Sequence, residues 1–119
     1  MMKQRRFLFA VLFSMAAAAP VLAHHSFSMF DQTKIFPMSG TVSKFTWTNP
    51  HSFVIVESKG TKYVLECNST NLMKMAGWKM NTLKPGDKVT LDYYPLRNGT
   101  AGGMLKTITL PNGTKLKAW

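Results

Sequence analysis

Between Ser39 and the C-terminus, short β-prone runs alternate with turn dipeptides, and the hydrophobic period changes to a helical one only once. That order of elements limits the available folds more than any other feature of the chain. "SGTVSKFTW" (39–47) is β-rich, but its apolar parity slips between Val42 and Phe45, which predicts a bulge near Ser43 and Lys44. "HSFVIVES" (51–58) follows, then a Lys59-Gly60 turn, then "TKYVLEC" (61–67) with Tyr63, Leu65 and Cys67 on one face, so that three strands form a meander. "NSTNLMKMAGW" then offers Asn68 or Ser69 as a helix cap, Leu72, Met75 and Ala76 at helical spacing, and Gly77 as a stop. A Pro85-Gly86 turn opens a fourth strand in which Val89, Leu91 and Tyr93 alternate with polar residues. The glycine-rich loop 97–103, a fifth strand, an Asn112-Gly113 turn and a short last strand complete the chain.

Three strands, a helix, then two strands, with a strongly bent first strand, is the order of an OB fold. The expectation is a mainly β protein, a small OB-fold-like five-stranded barrel with one helix between strands 3 and 4. Another small barrel, or an open meander sheet with one helix, is the alternative.

The first 23 residues read differently. Lys3, Arg5 and Arg6 precede an apolar run from Phe7 to Ala19, and Val21-Leu22-Ala23 has the small-residue form of a cleavage site. This is the pattern of a cleavable secretory signal peptide. The run is shorter than the roughly 20 residues that span a bilayer, so no stable membrane span is expected after processing. No cysteine stands near the site to carry a lipid. Residues 1–23 are therefore expected to be removed, leaving 24–119 as a single periplasmic domain of a size that can build a core.

All five acidic residues and twelve of the fifteen basic ones lie after Ala23, which leaves about +7. The cations are mostly lysines spread along the chain rather than clustered among aromatics, so no nucleic-acid partner is expected. The charge fits solubility or attraction to anionic surfaces. Cys67 is the only cysteine, so no intrachain disulfide can form, and it reads as a small buried residue at a strand end.

Ala23 to Asp31 ("AHHSFSMFD"), Gly40 to His51 ("GTVSKFTWTNPH"), Gly77-Trp78 and Leu83 to Leu91 ("LKPGDKVTL") resemble a family of small exported bacterial proteins catalogued only as a domain of unknown function. The resemblance implies a periplasmic setting and a compact β-rich domain, and no activity, substrate or cofactor.

The histidines offer the sharpest chemistry. There are three: His24, His25 and His51. Cleavage after Ala23 makes His24 the first residue, with an α-amine and Nδ1 that can chelate a metal together. A second imidazole makes three nitrogens in a T-shape, a histidine brace, and nitrogen donors suit Cu(II). His51 is the better second partner because Pro50 and a strand can fix it, whereas neighbouring side chains of an extended segment point apart. His25 is then an accessory ligand, a supporting group or a surface residue. Met29 and Met38 are thioether options for Cu(I), although methionine more often fills gaps in a core. Against this stands the reading that the terminal histidines are only what a peptidase tolerates. His51 in "NPH" would then serve the turn alone.

No paired carboxylates or Ser-His-Asp arrangement can be argued. Glu57, Glu66 and Asp92 are expected to face solvent, and Trp47, Trp78 and Trp119 to be core plugs or a binding face. Three functions remain open. One is a periplasmic copper-binding protein for storage, delivery or sensing, with a metal ion or a periplasmic protein as partner. The second is a metal-free OB-type module binding a small molecule, glycan or protein over Phe53 or Val54, Tyr63 and the loop 97–103. The third, an oxidative copper enzyme, needs the same site plus an open coordination position.

Overall fold

The computed structural model describes residues 27–119. The expected signal peptide, His24 and His25 fall in residues 1–26, outside the described residues. A short 3-10 turn, Phe27–Met29, leads into β1 (Phe36–Thr46), β2 (Phe53–Ser58) and β3 (Thr61–Glu66); then come α1 (Thr70–Met75), β4 (Lys88–Pro95), β5 (Gly102–Thr109) and β6 (Lys115–Lys117).

The strands form one sheet in the order β3-β2-β1-β4-β5-β6, and a parallel pairing of β3 with β5 closes the first five into a barrel. A barrel closed in this order, with the helix between β3 and β4, is the OB-type architecture expected from the element order. β1 serves two neighbours. Its first half, from Phe36, pairs with β4 and its second half with β2, the handover falling at Thr41. The register slips between Val42 and Lys44, where the parity shift predicts the bulge. The Pro85-Gly86 turn docks on this bend, with Val42 N–H donating to Asp87 O at 2.8 Å and Gly86 N–H to Val42 O at 2.8 Å. β1 begins three residues before the expected Ser39, because pairing with β4 extends order into Phe36-Pro37-Met38.

Closure depends on close backbone approach. A Cβ on Gly103 would lie 2.0 Å from Tyr94 O, and one on Gly102 would lie 2.5 Å from Val64 O. Side-chain-free residues let β5 press against β4 and β3 at once. The barrel is filled by Val42, Val54, Val56, Leu65, Val89, Leu91, Leu105 and Ile108 from the strands.

The helix departs from expectation. Ser69 is its N-cap, its Oγ accepting from Leu72 N–H at 3.4 Å. Yet the buried face is Thr70 and Met73, while Leu72 is 51% and Met75 84% exposed. A helix of six residues buries one i, i+3 pair, and here its phase is set by Asn49. The Asn49 Oδ1 accepts from both the Thr70 N–H (3.1 Å) and the Thr70 hydroxyl (3.0 Å). Trp78, just beyond the helix, is a core plug packed beside Phe45, and its indole N–H donates to Lys117 O at 2.7 Å.

Candidate functional site

The "TNPH" loop between β1 and β2 is built by its own hydrogen bonds. Ser52 is fully buried; its Oγ donates to Thr48 O (3.2 Å) and accepts from Thr48 N–H (3.3 Å). The Thr48 hydroxyl donates to His51 O at 2.8 Å. Ser52 N–H donates to Asn68 O and Cys67 N–H to Ser52 O, tying the loop to the segment leaving β3. His51 is thus held by backbone on both sides.

Its ring meets Cys67, Glu66 and Trp119. Nδ1 lies 3.1 Å from Cys67 O. A carbonyl only accepts, so Nδ1 carries the proton in this bond. Nε2 lies 3.6 Å from Glu66 Oε1. The Trp119 ring lies over the imidazole, centroids 5.4 Å apart and planes tilted by 36°. Trp119 is itself anchored by its indole N–H to Glu66 O at 3.1 Å.

Glu66 corrects the expectation of a solvent-facing carboxylate, for the residue is buried (6% exposed). Strand alternation does put it on the face opposite Leu65 and Cys67. At this end of β3, however, that face is covered by His51 and Trp119, which come from elsewhere in the chain. Glu57 is exposed and Asp92 half-buried. Cys67 is fully buried, and burial first, with the Glu66 charge second, pushes its thiol far above the ordinary range. Cys67 therefore stays a protonated core thiol and no ready metal ligand.

Phe27 reaches the same place, and the residues after it are tied to the end of β4 and the loop beyond it. Phe27 packs edge-on against Trp119, centroids 5.2 Å apart. Arg97 donates from Nε to Ser28 O (3.0 Å) and from its backbone N–H to Met29 O (2.9 Å), and Asp31 N–H donates to Pro95 O (2.8 Å). Among the described residues no three His, Cys, Asp or Glu side chains are grouped as a metal site. His51 and Glu66 come together there, whereas Met29 is an exposed residue of the 3-10 turn and Met38 lies in β1 against the core.

A separate cleft of about 500 Å³ is lined by Phe36, Tyr63, Tyr93, Lys34, Asp31 and the loop 97–102. It holds Tyr63 and the loop of the expected binding face, but Val54 points into the core and Phe53 does not line it.

Over residues 11–106 the sequence matches a family described as a family of unknown function, DUF6152. The chain belongs to that family. No curated protein matches it. The matched span includes His51, Glu66 and Cys67 and stops short of Trp119. Among the described residues no helix is long and apolar enough to cross a membrane.

Proposed function

We propose that this member of the family is an exported, periplasmic protein that binds copper for storage, delivery or sensing. Its ligands are His51 and, after removal of residues 1–23, the α-amine and imidazole of His24, with His25 as an accessory group. The observation that carries the reading is the orientation of His51. Its Nδ1–H is committed to Cys67 O, the arrangement by which metal-binding histidines are commonly fixed in one tautomer with Nε2 presented to the ion.

Reach supports the pairing. Phe27 contacts Trp119 and Trp119 contacts His51. His24 stands three positions before Phe27, and such a stretch spans up to about 10 Å. Nitrogen donors without a thiolate suit Cu(II).

The test is copper titration of the secreted protein, its first residue established by mass spectrometry. One tight Cu(II) site is expected, abolished both by a single added N-terminal residue and by His51→Ala. Binding indifferent to both changes refutes the reading. The aromatic cleft of Phe36, Tyr63 and Tyr93 would then support the second reading, a metal-free module for a small molecule, glycan or protein.

A further inference from the structure

We infer that the aromatic cleft beside the loop 97–102 is a binding site for a small organic carboxylate, an acid whose body carries an apolar face. None of the residues lining this cleft belongs to the His51 loop, so the inference stands apart from the copper reading. Tyr93 of β4 meets Phe36 of β1 and Tyr63 of β3 edge-on, with ring centroids 5.9 and 6.1 Å apart. Phe36 is 43% exposed. Rings packed on one another hold their faces in place and offer a ligand a formed apolar wall. Tyr93 is only 8% exposed, and among the described residues no hydrogen bond reaches its hydroxyl or that of Tyr63. Buried hydroxyls are ordinarily hydrogen-bonded, so these two are left to whatever fills the cleft. Burial first, and Tyr63 second, hold the Tyr93 phenol above its ordinary range, and it stays a neutral donor near pH 7.

The charged rim sets the sign of the ligand. Lys34, Arg97 and Asp31 line the cleft, two cations against one anion. The anion is already engaged: Asp31 Oδ1 accepts from the Thr33 N–H and hydroxyl, and Oδ2 lies 3.7 Å from Lys34 Nζ. Arg97 is anchored by its Nε on Ser28 O and its backbone N–H on Met29 O. Its Nη1 and Nη2 make no hydrogen bond among the described residues. A fork of guanidinium N–H groups matches the two oxygens of a carboxylate. The loop that carries it is braced, Gly99 N–H donating to Leu96 O at 3.2 Å and Thr100 N–H to Asn98 Oδ1 at 2.9 Å. Donors and surplus positive charge select an anion, and the aromatic wall selects one with an apolar body over a bare inorganic ion. A neighbouring cleft of about 560 Å³ shares Tyr63 and Tyr93, but there Glu57 balances Lys59 and no surplus charge remains.

The experiment uses the secreted protein in EDTA, so that no metal takes part. Benzoate, hexanoate and galacturonate are titrated beside their neutral counterparts benzyl alcohol, hexanol and galactose, and binding is read from the ring resonances of Phe36, Tyr63 and Tyr93. At least one carboxylate is expected to bind ~10-fold or more tightly than its neutral counterpart. Which one does so tells an aromatic, an aliphatic and a sugar acid apart. Arg97→Gln should weaken that binding at least ~10-fold, and Tyr63→Phe and Tyr93→Phe each ~3–10-fold. Arg97→Lys keeps the charge without the fork and retains part of the affinity, which covers the case of a poorly folded Gln variant. No carboxylate bound at ~10 mM, a neutral counterpart bound equally well, or Arg97→Gln and Arg97→Lys both at wild-type affinity overturns the inference. Copper binding is titrated separately, without EDTA, so the two readings fail independently.

Discussion

Replacing Gly103 by alanine tests how the barrel closes, and the sign of the effect carries the information. Gly103 has no unusual backbone angle. If chain entropy alone mattered, alanine would stabilise the protein by ~0.4–1 kcal/mol, because the unfolded chain would lose freedom. The added Cβ, however, lies 2.0 Å from Tyr94 O, 2.9 Å from Tyr94 C and 2.9 Å from Tyr93 Cδ2. Two of those three atoms are backbone of the strand paired with β5, so no side-chain rotation relieves the overlap. Overpacking costs about 1–3 kcal/mol when neighbours can shift. With backbone in the way, the upper end applies, and ~3 kcal/mol lowers Tm by roughly 12–24 °C in a domain of this size. Gly113→Ala is the control. Its φ is +88° and nothing lies within 4 Å of the added Cβ, so only backbone strain is felt. That strain is about 1–2 kcal/mol. Thermal and urea unfolding followed by circular dichroism should rank wild type above Gly113→Ala above Gly103→Ala. A Gly103→Ala protein as stable as wild type, or more so, would refute the account of a barrel closed by backbone contact.

Two further outcomes follow from the electrostatics. The Asp31 carboxyl is held below the ordinary carboxylate range, first by the Thr33 hydroxyl; desolvation opposes this, and the Thr33 N–H, Arg97 and Lys34 add smaller lowering effects. A depressed folded-state pKa contributes stability above the unfolded value, near pH 4, which is lost as pH falls through the folded value. The Tm gap between wild type and Asp31→Asn should therefore be present at pH 6 and close at lower pH; a gap that widens on acidification contradicts the assignment. Cys67, a fully buried thiol raised by desolvation, should resist Ellman's reagent at pH 8 in the folded protein and react stoichiometrically in urea. Rapid reaction in the native state would show that the strand end is open.

Residues close in the chain determined most of the architecture. Alternation at Val89, Leu91 and Tyr93 and at Tyr63, Leu65 and Cys67 marks the core faces of two strands. The parity slip beside Ser43 marks the bulge, the Lys59-Gly60 and Asn112-Gly113 turns end strands, and Ser69 caps the helix. Each is a local steric or hydrogen-bonding preference, readable without knowing what lies opposite. His51 could be singled out in the same way, from its place after Asn49-Pro50 at the start of a strand.

Tertiary structure decided everything that depends on what covers a residue. Alternation assigns Glu66 to the face away from Leu65, and only the arrival of His51 and Trp119 from distant positions makes that face an interior one. The phase of α1, with Met73 inward and Met75 outward, follows from a cap supplied by Asn49 across 21 residues. Local sequence specifies periodicity and turns because those forces act within a few residues. Burial of a charge, and the pairing of a histidine with it, are properties of segments that meet only after the barrel has closed.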